Sequence, residues 1–122
     1  MGLIEKKGKF LLGIEAKNNP RKGKWRLLGG KVEANENAEE AMVRECQEEA
    51  NIKVKVKKFL GEAMGDANEI IVELCHSEWI SGELKANPRE ISSLQWFTLE
   101  QAKNLEKDKI TAEGLRLFEM QR

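Results

Sequence analysis

Glu45, Glu48 and Glu49 stand at i, i+3 and i+4, a spacing that puts three carboxylates on one face of a helix. One heptad earlier the same positions are Ala38, Ala41 and Met42. A heptad is nearly two turns, so each glutamate sits almost directly above a small or apolar residue. The face expected to pack inward at the helix start therefore ends in three acids. Each like-charge pair at this spacing destabilises by roughly 0.2–0.5 kcal/mol even when exposed, and acids near a helix C-terminus oppose the macrodipole. A solvated acidic face would lie opposite the packing side, whereas these acids lie on it. The spacing thus demands a cationic partner, and a divalent metal ion with oxygen ligands is the natural candidate.

Upstream the chain reads Trp25-Arg26-Leu27-Leu28-Gly29-Gly30-Lys31-Val32-Glu33-Ala34-Asn35-Glu36. Seven residues later come Arg44-Glu45-Cys46-Gln47-Glu48-Glu49, then Ala50-Asn51-Ile52. This segment closely resembles the Nudix box of the nucleoside-diphosphate-X hydrolases: glycine, five residues, glutamate, seven residues, Arg-Glu, an apolar residue, any residue, Glu-Glu, any residue, glycine, an apolar residue. Three positions depart from the pattern. Leu28 replaces the proline that usually precedes the glycine pair, Asn35 the glycine before the first box glutamate, and Asn51 the closing glycine. Asparagine is the residue after glycine that best tolerates left-handed backbone, so Asn35 and Asn51 read as backbone-conserving replacements. Every acid and the arginine of the box are present.

The resemblance implies an α/β (α+β) fold, an α/β/α sandwich on a mixed β-sheet, occupying residues 1–122 as one domain. It implies Glu45 and Glu49 as metal ligands, Glu48 as a ligand or water-mediated partner, and the backbone carbonyl of Gly29 as completing the site. The cofactor would be Mg2+, with Mn2+ able to substitute. Arg44 lies beside Glu45 and four residues before Glu48, where it can hold a carboxylate by charge-assisted hydrogen bonds. Gly30, Glu36 and Asn51 are expected to be structural. Many family members carry a further acid on a distant loop, and Glu90 in Asn87-Pro88-Arg89-Glu90-Ile91 occupies the corresponding place.

Composition fits a small enzyme. With 21 basic and 21 acidic residues the formal net charge is +0, which argues against a dedicated nucleic-acid binder or a membrane binder. The run Arg21-Lys22-Gly23-Lys24-Trp25-Arg26 is the exception; it reads either as a solvated loop entering a strand or, through Lys24, Trp25 and Arg26, as a contact for substrate phosphate or base. Trp79 is another candidate for stacking a base, but it and Trp25 each read more readily as packing, as does Trp96-Phe97. Cys46 and Cys75 are too far apart in sequence for a CxxC pair and suggest buried, reduced thiols in a cytoplasmic protein. His76 reads as a strand residue without catalytic duty. The N-terminus lacks the apolar run of a signal peptide, and no stretch reaches membrane-spanning length. A homodimer stays open.

Local signals place the elements. Leu3-Ile4 and Phe10 to Ile14 flank Glu5-Lys6-Lys7-Gly8-Lys9, a hairpin pattern; the family's first strand normally runs longer. Lys17 to Arg21 reads as loop and Lys24 to Leu28 as strand. Asn37 with Glu40 forms a capping-box variant opening a helix from Ala38 to Ala50, closed by Asn51 in a left-handed cap. Ile52 to Val56 alternates as a half-buried strand. Glu69 to Cys75 is an apolar strand continuing towards Ile80, and Leu94 to Phe97 is the last strand. Thr98 and Gln101 form a second capping box for a helix to Leu105, and a final helix from Thr111 to Met120 packs through Leu115 and Phe118.

The expected activity is metal-dependent hydrolysis of a diphosphate linkage in a nucleoside diphosphate derivative. Subgroups acting on ADP-ribose or dinucleoside polyphosphates tend to carry a proline or tyrosine some fifteen residues past the box. Here that stretch is Asp66-Ala67-Asn68-Glu69, and the chain has no tyrosine. The favoured substrate is therefore a nucleoside triphosphate or related small nucleotide, split to monophosphate and pyrophosphate as in the MutT-like subgroup. A nucleotide-sugar or other diphosphate hydrolase is the alternative enzyme, and a non-catalytic nucleotide-sensing module the alternative from another class.

Overall fold

Leu3 and Ile4 are neighbours in β1 (Gly2–Lys6) and both fully buried, yet they belong to different cores. Successive residues of a strand point to opposite faces, so a sheet with both faces covered needs such runs. The same split recurs between Leu11 and Leu12 in β2 (Lys9–Glu15), between Leu27 and Leu28, and between Leu74 and Cys75 in β5 (Ile71–Ser81). On one face Ile4, Leu11, Leu28 and Cys75 meet Met42, Cys46 and Ala50 of α1 (Ala38–Ala50). On the other, Leu3, Phe10, Leu12 and Leu74 meet Ala102 of α2 (Leu99–Asn104) and Ile110 and Leu115 of α3 (Lys109–Met120). Two layers of helix thus enclose one sheet. The computed structural model describes residues 1–16, 23–65 and 71–122.

The remaining strands are β3 (Trp25–Arg26), β4 (Lys53–Met64) and β6 (Ile91–Thr98). The sheet order is β3-β2-β1-β5-β4, with β6 also pairing β2. β1 runs parallel to β5 while β1–β2, β2–β3, β2–β6 and β4–β5 are antiparallel, so the sheet is mixed. The β1–β2 turn has positive φ at both Lys7 and Gly8, the backbone of a two-residue hairpin loop whose twist matches the strands.

Several boundaries differ from those read in the sequence. β3 is shorter than Lys24 to Leu28, because beyond Arg26 only Leu28 makes an isolated bridge, to Gly2. β4 is much longer than Ile52 to Val56. Register shifts between Val56 and Lys58 and between Phe59 and Gly61 turn the strand over, so Val54 and Val56 face the α1 core while Leu60 and Ala63 face the α3 core. Bulges of this kind erase the strict alternation that marks a strand in sequence. α3 starts two residues early because Asp108 caps it, its side chain accepting from the Thr111 N–H at 2.8 Å. The loop expected from Lys17 to Arg21 and the strand start expected at Glu69 lie outside the described residues.

α1 closes as anticipated. Asn51 has φ 60 and ψ 32, left-handed backbone, and its N–H bonds the Gln47 carbonyl at 3.1 Å. Its side chain adds a tether that glycine could not supply, donating from Nδ2 to the Glu83 carbonyl at 3.0 Å. Asn51→Val is expected to cost more than about 1 kcal/mol through forced positive φ on a β-branched residue. Asn51→Gly should cost less, about 0.5–1 kcal/mol for the lost hydrogen bond, partly offset by relieved backbone strain. Urea unfolding of both variants checks the order; equal midpoints would contradict the assignment.

Candidate active site

The site begins with the loop that enters α1. Asn37 accepts from the Glu40 N–H at 2.8 Å and Glu40 returns the bond to the Asn37 N–H at 2.9 Å, so the helix start is locked by its own sequence. Glu36 lies just before this cap, and Arg44 two turns into the helix reaches back to it. The guanidinium donates from Nη2 to Glu36 Oε1 at 2.7 Å and to the Lys31 carbonyl at 2.9 Å, and from Nη1 to Glu45 Oε1 at 2.8 Å and Glu48 Oε2 at 3.2 Å. One planar fork therefore clamps the 31–36 loop to the helix and aims Glu45. The Arg44 hydrogen bonds hold the Glu36 carboxyl below the usual glutamate range, and Glu36 is the chief reason the Arg44 guanidinium is raised above its own.

Glu49 is the buried acid, with 3% of its surface exposed. Each oxygen is held by one donor: Oε1 by the Gly29 N–H at 2.9 Å and Oε2 by Arg26 Nη2 at 2.8 Å. Burial pushes the Glu49 carboxyl upward, and the charge and hydrogen bond of Arg26, with the Gly29 N–H, pull back part of that shift. Gly29 can aim its N–H here because it adopts φ +130, a backbone that L side chains rarely take. Arg26 is itself buried; it donates to the Leu27 carbonyl at 2.7 Å and lies 3.0 Å from Glu15 Oε1.

Glu90 arrives from far along the chain. The last carbonyls of a helix have no partners within it, and here the segment after β5 supplies them. The Lys85 N–H bonds the Ala50 carbonyl at 3.0 Å and the Asn87 N–H bonds the Glu49 carbonyl at 2.9 Å. A turn follows in which the N–H groups of Glu90 and Ile91 both bond the Asn87 carbonyl, and the Glu90 carbonyl accepts from Ala16. This fixes Glu90 beside the helix end. Ligand oxygens of Glu45, Glu49 and Glu90 all lie within 4.8 Å of one another. Gly30 borders the cluster, where a Cβ would fall 2.7 Å from a Glu45 carboxylate oxygen.

The remaining candidates separate by position. Glu48 does not join the cluster; its side chain is 47% exposed and ion-paired to Arg44. The buried residues of α1 are Ala41, Met42, Cys46, Glu49 and Ala50. Glu48 stands one heptad past Ala41, at the edge of that stripe, about a quarter circle from Glu49, and its longer side chain reaches solvent. The expectation of three inward acids is thus corrected to Glu49 buried and Glu45 at its margin. Arg26 is likewise corrected from substrate contact to buried ion-pair partner of Glu49 and Glu15. Trp25 packs edge-on against Phe97, with ring centroids 4.8 Å apart, so it is core rather than an open stacking surface. Lys24 is exposed. Arg21, Lys22 and the stretch from Asp66 to Glu69 lie outside the described residues. His76 bonds Glu5 at 2.8 Å and packs on Phe118. Trp79 lies under the Lys6 ammonium, 4.0 Å from its ring centroid. Cys46 and Cys75 are free and buried, and burial raises both thiols. Glu15 and the Arg26–Glu49 pair have no local sequence signal, because their partners come from different elements.

Three carboxylates converging from a helix and a loop, one fully oriented by N–H donors, form an all-oxygen donor set suited to a hard divalent cation. No helix among the described residues is long and apolar enough to cross a membrane.

The NUDIX domain family model matches residues 1–118. An ADP-ribose pyrophosphatase of Methanocaldococcus jannaschii is 46% identical over 92 residues, covering 70% of this chain and 52% of that protein. The chain thus spans about half the length of that relative. A CTP pyrophosphohydrolase of Escherichia coli is 32% identical over 102 residues, covering 82% of this chain and 74% of that protein. Among solved structures, a MutT protein from Methanosarcina mazei superposes with a TM-score of 0.81 at 26% identity, covering 98% of this chain and 90% of that one.

The Arg44–Glu36 clamp carries a pH signature. A carboxyl lowered from its ordinary value of 4.5 on folding stabilises at pH above that value, and the contribution fades as pH falls through the lowered one. Glu36→Gln should therefore melt below wild type at neutral pH, with the gap closing in acid. Thermal melts across that range check this; a gap independent of pH would show that charge is not what Glu36 contributes.

Proposed function

The chain belongs to the NUDIX family, and we propose that it hydrolyses a diphosphate linkage in a nucleoside diphosphate derivative. The favoured substrate is a nucleoside triphosphate or related small nucleotide, giving monophosphate and pyrophosphate. The observation that carries this reading is the convergence of Glu45, Glu49 and Glu90 within 4.8 Å, two of them on a helix that carries the box arginine and its three glutamates. Mg2+, or Mn2+ in its place, would be held by these carboxylates and the Gly29 carbonyl. When bound, such an ion neutralises phosphate charge and makes water a stronger nucleophile near neutral pH.

The protein's own part is preorganisation. Gly29 and Arg26 fix the Glu49 carboxylate before any ligand arrives, and Arg44 fixes Glu45, so neither must reorient during the reaction. Glu90 is the exposed member and can take a proton from the attacking water or add a third carboxylate to the ion. Glu48 stays outside, tied to Arg44, where a water-mediated role fits its exposure. ADP-ribose is the second reading, favoured by the identity shared with the Methanocaldococcus pyrophosphatase.

A nucleotide panel with magnesium, products identified by mass, distinguishes the substrates, and heavy-oxygen water should label a phosphate-bearing product. Glu49→Gln is expected to lower kcat on the order of a hundredfold or more, and Glu90→Gln roughly ten- to a hundredfold, with nucleotide affinity less affected. Tight nucleotide binding without product from any member of the panel would instead support a sensing module.

Metal binding has its own check. Magnesium should raise the wild-type melting temperature in a saturable way, and Gly30→Ala, which drives a methyl into the Glu45 carboxylate, should blunt that rise while leaving the metal-free melt nearly unchanged. An equal rise in both proteins would remove Glu45 from the metal site.

A further inference from the structure

We propose that Arg26, anchored by Glu15, is a positioning residue that sets how Glu49 presents its oxygens to a divalent ion. The inference rests on the metal-dependent reading above and assigns to it two residues outside the box.

Glu49 sits among acids, with ligand oxygens of Glu45 and Glu90 within 4.8 Å of its own. Mutual repulsion pushes such a carboxylate to turn away, and two donors prevent this by taking one oxygen each: the Gly29 N–H and Arg26 Nη2. Each oxygen keeps a second lone pair free. Arg26 is itself held at three points, through Nη1 to the Leu27 carbonyl, Nη2 to Glu49 and Nε beside Glu15 Oε1. A planar fork held this way has little freedom, and a lysine ammonium cannot reproduce it.

Glu15 ties this fork to the third acid. It closes β2, where the pairing with β6 shifts register between Ile14 and Glu15; such irregularities re-aim side chains. Its partner across the ladder is Ile91, the neighbour of Glu90, and the next residue, Ala16, donates to the Glu90 carbonyl at 3.1 Å. One strand end therefore supports both Arg26 and the Glu90 turn. The arrangement is not one that stability alone favours. Glu15 Oε2 is buried without a hydrogen bond among the described residues, and the Nε contact is a charge pairing bent away from hydrogen-bond geometry.

The test is Mn2+ binding followed by electron paramagnetic resonance without nucleotide, on wild type, Arg26→Lys and Glu15→Gln. Circular dichroism and the melting temperature establish that each variant is folded at the temperature used. Residues that orient a metal ligand typically govern ten- to a hundredfold of affinity, so Arg26→Lys should weaken Mn2+ binding by roughly that factor. Glu15→Gln, nearly the same shape, should weaken it several-fold. In turnover assays both variants should need more metal for half-activation, with the nucleotide KM at saturating metal within about twofold of wild type. A merely structural role would lower the melting temperature and leave Mn2+ affinity unmoved. If Arg26→Lys does not fold, Glu15→Gln decides alone, and unchanged Mn2+ affinity in it overturns the proposal. Weakened Mn2+ binding in a protein that hydrolyses no nucleotide would instead overturn the hydrolase reading and leave this one standing.

Discussion

A carboxylate cannot be buried unpaired at tolerable cost, and the placement of Glu49 organises everything around it. Removing an ionised group from water costs several kcal/mol even after the protein relaxes, so its two oxygens must be met by donors. One is a backbone N–H, which needs the unusual φ of Gly29. The other is a buried arginine, which brings Glu15 with it. The strand carrying Arg26, the glycine turn after it and the end of β2 are thereby fixed relative to α1. Arginine suits this position because its charge is delocalised and weakly hydrated compared with an ammonium. The ion pair is better understood as a specifier of geometry than as a source of stability.

The two cores divide the labour. α1 carries the acids on the margin of a face that is otherwise apolar, through Met42, Cys46 and Ala50 against Ile4, Leu11 and Cys75. α2 and α3 cover the opposite face with residues that take no part in the site. The sheet between them sets the distance between β2, β3 and α1, and hence the reach that Arg26 must span. On the solvent side Arg44 ties Glu36, Glu45 and Glu48 together, while on the buried side Glu15 Oε2 and Arg26 Nε are left without hydrogen bonds among the described residues.

Much of this was legible in the sequence, and what was legible was local. α1 runs from Ala38 to Ala50 between Asn37 and Asn51 as read, because caps act within a few residues of the helix they close. The box motif singled out Glu45, Glu49 and Arg44 and the Asn87–Ile91 segment singled out Glu90, and the fold brings the acids Glu45, Glu49 and Glu90 together. What escaped depends on pairings that no short window contains. The bulges of β4 hid more than half of that strand. The inward face of α1 was read too wide: Ala41 at the edge of the stripe is buried, but Glu48, one heptad on and longer, reaches solvent and pairs with Arg44. Arg26 looked like part of a basic run because its two acidic partners, Glu15 and Glu49, lie on separate elements.

The way α1 ends has a consequence for how the molecule ages and breathes. Its final carbonyls are satisfied by the segment that presents Glu90, so helix termination and site assembly are one structural event. Fraying of the last helical turn, ordinarily among the least costly motions in a protein, would here release Glu90 and loosen Glu49 together. The amide protons of Lys85 and Asn87 are then natural reporters of how often the site comes apart. Surface loops commonly accept insertions; the 82–90 segment, stitched to a helix end at both Lys85 and Asn87, is one whose length is set by the helix it closes.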